Sequence, residues 1–139
     1  MVTTVESASD MIRGMNPVLQ PGRFVFWSSA DGEPPASLRD AALATFRETE
    51  GLSLLLHEDD AVKAGLGASA PMRQITMKVY SSLTGVGLTA AVATALAAEG
   101  IACNVIAATL HDHIFVPAED AERAMAVLAR LQAAAASRS

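Results

Sequence analysis

The chain has one cysteine, Cys103, so it can close no internal disulfide. That residue sits in an apolar, strand-like run, which fits a small buried hydrophobe in a reducing cytoplasm. Aromatics are scarce at 4% of 139 residues, and the apolar content comes from Ala, Val and Leu, a supply suited to helices packed on a sheet. Basic residues are also short, 10 Lys and Arg against 15 Asp and Glu, and they form no run. A net charge of −5 opposes binding to nucleic acid or anionic membrane. No apolar stretch reaches the roughly 18 residues needed to cross a bilayer. Residues 1–10 lack the basic head and apolar body of a signal peptide. The expectation is a soluble cytoplasmic protein with neither nucleic acid nor membrane as partner.

What remains is a folded chain the length of one domain, or of two very small ones fused. Residues 5–15 read as a short helix, capped by Thr3 or Thr4 and ended by Gly14 and Asn16-Pro17. A strand over 23–29 and a turn-rich loop over 31–35 follow. A hairpin over 43–48 and 52–57 then turns on Gly51, ahead of a short helix over 59–66. Residues 72–80 alternate as a strand. A helix over 87–99 places Leu88, Ala91, Val92, Ala95 and Leu96 on one stripe and ends at Gly100. Strands over 101–110 and 114–116 flank a tight turn at His111-Asp112-His113. Pro117 opens a last helix with Ala121, Met125, Leu128 and Leu131 inward, fraying over 136–139. The second half follows a β-α-β-β-α order and the first reads β, weak helix or loop, β-β-α, so the class is an α+β sandwich.

The most informative stretch joins the strand over 72–80 to the next helix: Ser81-Ser82-Leu83-Thr84-Gly85-Val86-Gly87-Leu88-Thr89-Ala90. It formally matches the dinucleotide fingerprint G-x-G-x-x-G/A. The first glycine lies about five residues past the strand, however, and the next strand enters a hairpin instead of a parallel crossover. A dinucleotide is rejected. The loop can still cradle an anion, because the backbone N–H groups of Gly87, Leu88 and Thr89 lie at a positive helix end. The plainer alternative is that Thr84 or Ser82 caps the helix, and on spacing alone that is the stronger reading.

Other candidates carry less. His111 and His113 could chelate a metal with Asp112 or His57, but polar residues at an exposed turn are the ordinary expectation. The flanks of Cys103 offer no electropositive setting for a thiolate. The acids at positions 48, 50 and 58–60 read as a solvated face and a helix start. No constellation supports an enzyme, a cofactor or a bound metal.

The second half resembles the ACT domain. The resemblance rests on a strand, the Gly85-Val86-Gly87 helix start, and Glu99-Gly100-Ile101-Ala102-Cys103-Asn104-Val105-Ile106 entering a second strand. It continues through Ile114-Phe115-Val116-Pro117. With Phe24-Val25-Phe26 and the Thr45–Leu52 run, the chain is similar to small stand-alone, uncharacterised bacterial ACT-domain proteins. The resemblance implies ferredoxin-like βαββαβ architecture, with two ACT-like units sharing an antiparallel sheet and helices on one face. It divides the chain into an N-terminal helix and linker (1–17), a degenerate unit (18–71), a full unit (72–135) and a tail (136–139).

By position, it implies ligand contacts from Ser81, Ser82, Leu83, Thr84, Gly85, Val86, Gly87, Leu88 and Thr89, and from Cys103, Asn104, Val105 and Ile106. The implied role is a regulatory sensor of a small molecule, typically an amino acid, working as a homodimer without catalysis of its own. A ligand-free protein-interaction module is the alternative. One departure stands out: relatives such as aspartokinase regulatory domains place Asp or Asn in the first loop for the ligand's ammonium. Here Ser81, Ser82 and Thr84 are neutral, so the ammonium of a zwitterion would have to use carbonyls or an acid from the partner unit.

Overall fold

The structure is a computed structural model that describes residues 4–30 and 33–137. The expected Asp31-Gly32 turn, the Thr3 cap and the end of the expected tail lie outside the described residues. In chain order the elements are α1 (Ala8–Arg13), β1 (Pro17–Leu19), β2 (Phe24–Ser29), α2 (Ala36–Ala41), β3 (Ala44–Glu48) and β4 (Gly51–His57). There follow α3 (Glu58–Lys63), β5 (Met72–Met77), α4 (Leu88–Ala98), β6 (Asn104–Ala107), β7 (Asp112–Pro117) and α5 (Ala121–Ala136), the last preceded by a 3-10 turn at Ala118–Asp120. Contacts divide the chain into two compact units: residues up to Pro21 with those from Arg73 onward, and Gly22–Met72.

In the first unit the strand order is β1-β5-β7-β6. β1 runs antiparallel to β5, with Val18 opposite Thr76, and β6 antiparallel to β7, with Val105 opposite Ile114. Alternation sends Ile75 and Met77 of β5, and Ile114 and Val116 of β7, into one core with Leu88, Val92 and Leu96 of α4 and Ala124 and Leu128 of α5. Met11 and Met15 close that core from the N-terminal side. The inward stripe of α5 therefore includes Ala124 and Val127, while Met125 and Leu131 pack at its margin.

Three local expectations change. α1 starts at Ala8, where the Ser7 side chain accepts from the Asp10 N–H. The preceding residues instead form an extended segment in which Val5 bridges to Ser81. The strand expected over 101–110 shortens to β6. The hairpin turn moves upstream of His111-Asp112-His113, closed by the Ala108 N–H on the His111 carbonyl at 3.0 Å. Pairing Val105 with Ile114 aligns two apolar side chains, and that register draws Asp112 and His113 into β7.

In the second unit β3, β4 and β2 form an antiparallel sheet, with Arg47 opposite Leu52 and Trp27 opposite Leu54. Its core comprises Val25, Leu38, Leu52, Leu54, Leu56 and Ala61. The β3–β4 hairpin turns at Gly51, where φ is +152° and an added Cβ would lie 1.9 Å from the Ser29 carbonyl oxygen. Both observations require glycine. α3 carries Glu58, Asp59 and Asp60 in its first turn, favourable toward the helix dipole.

Leu96 is fully buried in the first unit's core. Leu96→Ala is expected to lower unfolding free energy by about 2–5 kcal/mol, measured by urea denaturation with an unchanged m-value.

Candidate functional site

The Ser81–Leu88 stretch is organised by a segment that follows no obvious sequence signal. The Val5 N–H donates to the Tyr80 carbonyl at 2.7 Å, and the Ser82 N–H to the Val5 carbonyl at 3.0 Å. Beside them the Glu6 carboxylate accepts from Ser82 Oγ at 3.1 Å and Thr84 Oγ1 at 3.3 Å. A Cβ on Gly85 would lie 3.1 Å from the Glu6 carbonyl oxygen, and one on Gly87 would lie 2.6 Å from the Ala8 Cβ. Both glycines thus let the N-terminal segment run tightly along the loop. Gly87 also has φ +115°, which disfavours any side chain there.

The helix start differs from the capping expectation. Gly87 is the N-cap and, having no side chain, leaves the helix uncapped, while the hydroxyls of Ser82 and Thr84 donate to Glu6. The first helical bond runs from the Ala91 N–H to the Gly87 carbonyl at 3.0 Å. The amides of Leu88, Thr89 and Ala90 are therefore not satisfied inside the helix. Gly87, Leu88 and Thr89 line a cavity of about 130 Å³, together with Ser81, Ser82, Leu83 and Gly85. Its remaining walls are Met11, Ala107 and Asp112.

Seven of the thirteen expected contact residues meet in that cavity. Thr84 and Val86 do not, and Val86 is 81% exposed. Cys103, Asn104 and Ile106 line neither this cavity nor its neighbour, whereas Val105 faces a small adjoining slot with Leu88, Thr89 and Asp112. Burial pushes the Cys103 thiol up from its ordinary range, which disfavours the reactive thiolate.

Sequence reasoning missed Asp112 as a cavity residue. It lies opposite Ala107 and accepts a hydrogen bond from Ser81 Oγ at 3.1 Å. The readable signal was the row Asp112, Ile114, Val116: an acid leading an otherwise apolar, core-facing alternation.

His113, one residue on, points to the opposite sheet face. Its Nδ1 lies 3.1 Å from both Gln74 Nε2 and Thr76 Oγ1, and Gln20 Nε2 donates to Thr76 Oγ1. An amide nitrogen can only donate, so Nδ1 accepts and the ring proton sits on Nε2. Among the described residues no three His, Cys, Asp or Glu side chains come close enough to hold a metal ion. None of the described helices is long and apolar enough to cross a membrane.

Two ACT-domain family models match the chain, one over residues 4–73 and the other over 69–130. The chain belongs to the ACT-domain family. A Vibrio cholerae protein of unknown function, described as a possible transport protein, shares 42% identity with this ACT-domain chain at a TM-score of 0.79. The match covers 89% of this chain and 94% of that one. An Agrobacterium tumefaciens protein aligns with TM-score 0.66 at 18% identity, over 84% and 87% of the two chains. The regulatory subunit of aspartate kinase from Thermus flavus aligns with TM-score 0.59 at 13% identity, over 83% and 95%. The last two likenesses concern the fold alone. No curated protein matches the sequence. The family is one of regulatory, ligand-binding modules, and its tandem ACT architecture agrees with the α+β class expected from the residues.

Burial, with His111 and Lys78 nearby, holds the His113 pKa below the ordinary imidazole value, and Asp112 only partly offsets this. A proton therefore binds the unfolded chain more readily than the folded one. Stability is full above about pH 6.5 and is lost as pH falls from there through the folded-state value. A melting-temperature series from pH 7.5 to 5.5 should show this loss, and His113→Gln should flatten it.

Proposed function

We propose that this ACT-domain protein is a regulatory sensor of a small molecule, an amino acid, with no catalysis of its own. A single observation carries the reading: one cavity joins an uncapped helix N-terminus to the Asp112 carboxylate. The amides of Leu88 and Thr89, at the positive end of the α4 dipole, would take an α-carboxylate. Asp112 would take the α-ammonium through a charge-assisted hydrogen bond. It supplies, from β7 of the same unit, the acid that the Ser81–Leu88 loop lacks. Ser81 Oγ donates to Asp112 and so holds one of its carboxylate oxygens in place.

The same reading gives the protein a cytoplasmic setting and a homodimeric state. Support for the dimer comes from β6, which ends the first unit's strand order with Asn104 and Ala107 exposed. An unpaired strand edge of this kind offers backbone donors and acceptors to a second copy. The ligand-free alternative, a protein-interaction module, draws on Leu83 and Val86, which are 67% and 81% exposed on the loop.

A thermal-shift screen of the free amino acids tests the proposal. Ligand at about 100 times its dissociation constant should add about 2.7 kcal/mol of stability. Asp112→Asn should abolish the shift while the variant melts cooperatively near the parent temperature. A screen in which neither amino acids nor other small carboxylates move the transition would favour the interaction module.

A further inference from the structure

Behind the polar cavity lies a slot of about 10 Å³ that shares Leu88, Thr89 and Asp112 with it. Its other walls are Met77, Val92, Val105 and Ile114. Leu88, Thr89 and Asp112 line both spaces, so a ligand held between α4 and Asp112 would have its α-carbon beside the slot. Any group branching from that carbon toward the sheet therefore meets aliphatic side chains.

Charge restricts the occupant first. Among the described residues Asp112 is the only charged one lining either space, and an α-ammonium would already use it. The Glu6 carboxylate accepts from Ser82 and Thr84 and is not part of the lining. A second charge driven into the slot would lose its water without gaining a partner, which is strongly unfavourable. A side-chain carboxylate would in addition be repelled by Asp112.

Size restricts it next. A single water needs roughly 10–15 Å³ on this measure, so the slot admits a carbon or two. Met77, Val92 and Ile114 are at most 2% exposed and belong to the close-packed core. Widening the slot at their expense would disturb packing that tolerates little change in volume. Val105 differs, being a half-buried residue of the outer strand β6.

We infer that the ligand is an α-amino acid with an uncharged aliphatic side chain of one or two carbons, L-alanine being the type case, seated against Met77, Val92, Val105 and Ile114. The inference rests on the amino-acid reading of the same cavity and adds its chemical class. Aromatic, acidic and basic amino acids are disfavoured by the same walls. Val105 is the residue that sets the upper limit of size.

Isothermal titration of the full chain with glycine, L-alanine, L-valine, L-leucine, L-phenylalanine, L-lysine and L-aspartate tests this. L-alanine should bind tightest, about tenfold above glycine, as expected for a methyl group entering an apolar pocket. L-phenylalanine, L-lysine and L-aspartate should each be at least tenfold weaker than the best ligand. Val105→Ala should improve L-leucine about tenfold relative to L-alanine. A charged or aromatic amino acid binding as tightly as the best aliphatic one would overturn the class and leave the amino-acid reading intact. An unchanged order of preference in a folded Val105→Ala protein would remove the role given to that side chain. Absence of heat with all seven would overturn the amino-acid reading itself.

Discussion

The register of β6 against β7 governs the site. With Ala107 opposite Asp112 and Val105 opposite Ile114, the β7 row of Asp112, Ile114 and Val116 faces α4. The side-chain period of a strand is two, so a slip of one residue would exchange that row for His113, Phe115 and Pro117. Asp112 would then leave the cavity and a histidine would enter it. The aliphatic pairing of Val105 with Ile114, and the burial of Ile114 and Val116, hold the register that keeps a carboxylate beside a helix N-terminus.

A second constraint acts on the other wall. The extended run through Val5 and Glu6 bonds to both sides of Ser81 and draws the hydroxyls of Ser82 and Thr84 toward its own carboxylate. The N-cap of α4 is Gly87, whose lack of a side chain leaves the helix uncapped. The two glycines of the loop answer to the same segment, because a Cβ at either would press on Glu6 or Ala8. A motif that looks built for a ligand is thus partly built for the protein's own N-terminal segment. The free amides of α4 follow from the glycine at its N-cap, a position where Ala8 leaves no room for a side chain.

Much of this was legible. The strands expected over 23–29 and 72–80, formed as β2 over 24–29 and β5 over 72–77, the Gly51 hairpin, the α4 stripe of Leu88, Val92 and Leu96, and the Gly100 stop all follow from period and local chemistry. The Ser81–Leu88 loop as a point of chemical interest was also readable, from its glycines at a helix start. Asp112 was obscured because His111-Asp112-His113 resembles a polar turn, and turn chemistry is local whereas strand register is not. Glu6 was invisible for another reason. It acts on residues 76 and 78 positions away in sequence, and no local pattern encodes that contact.

The amino-acid sequence by itself determined the α+β class, the order of most elements, the ACT-domain resemblance and the loop that forms one wall of the cavity. Those properties are set by hydrophobic period, glycine placement and residue type, all of which act over a few neighbouring positions. Tertiary structure decided which acid faces the cavity, which hydroxyls are already engaged, and that α4 begins uncapped. Each of those depends on pairing between distant segments, where the free energy of the whole core selects one register from several that local sequence allows.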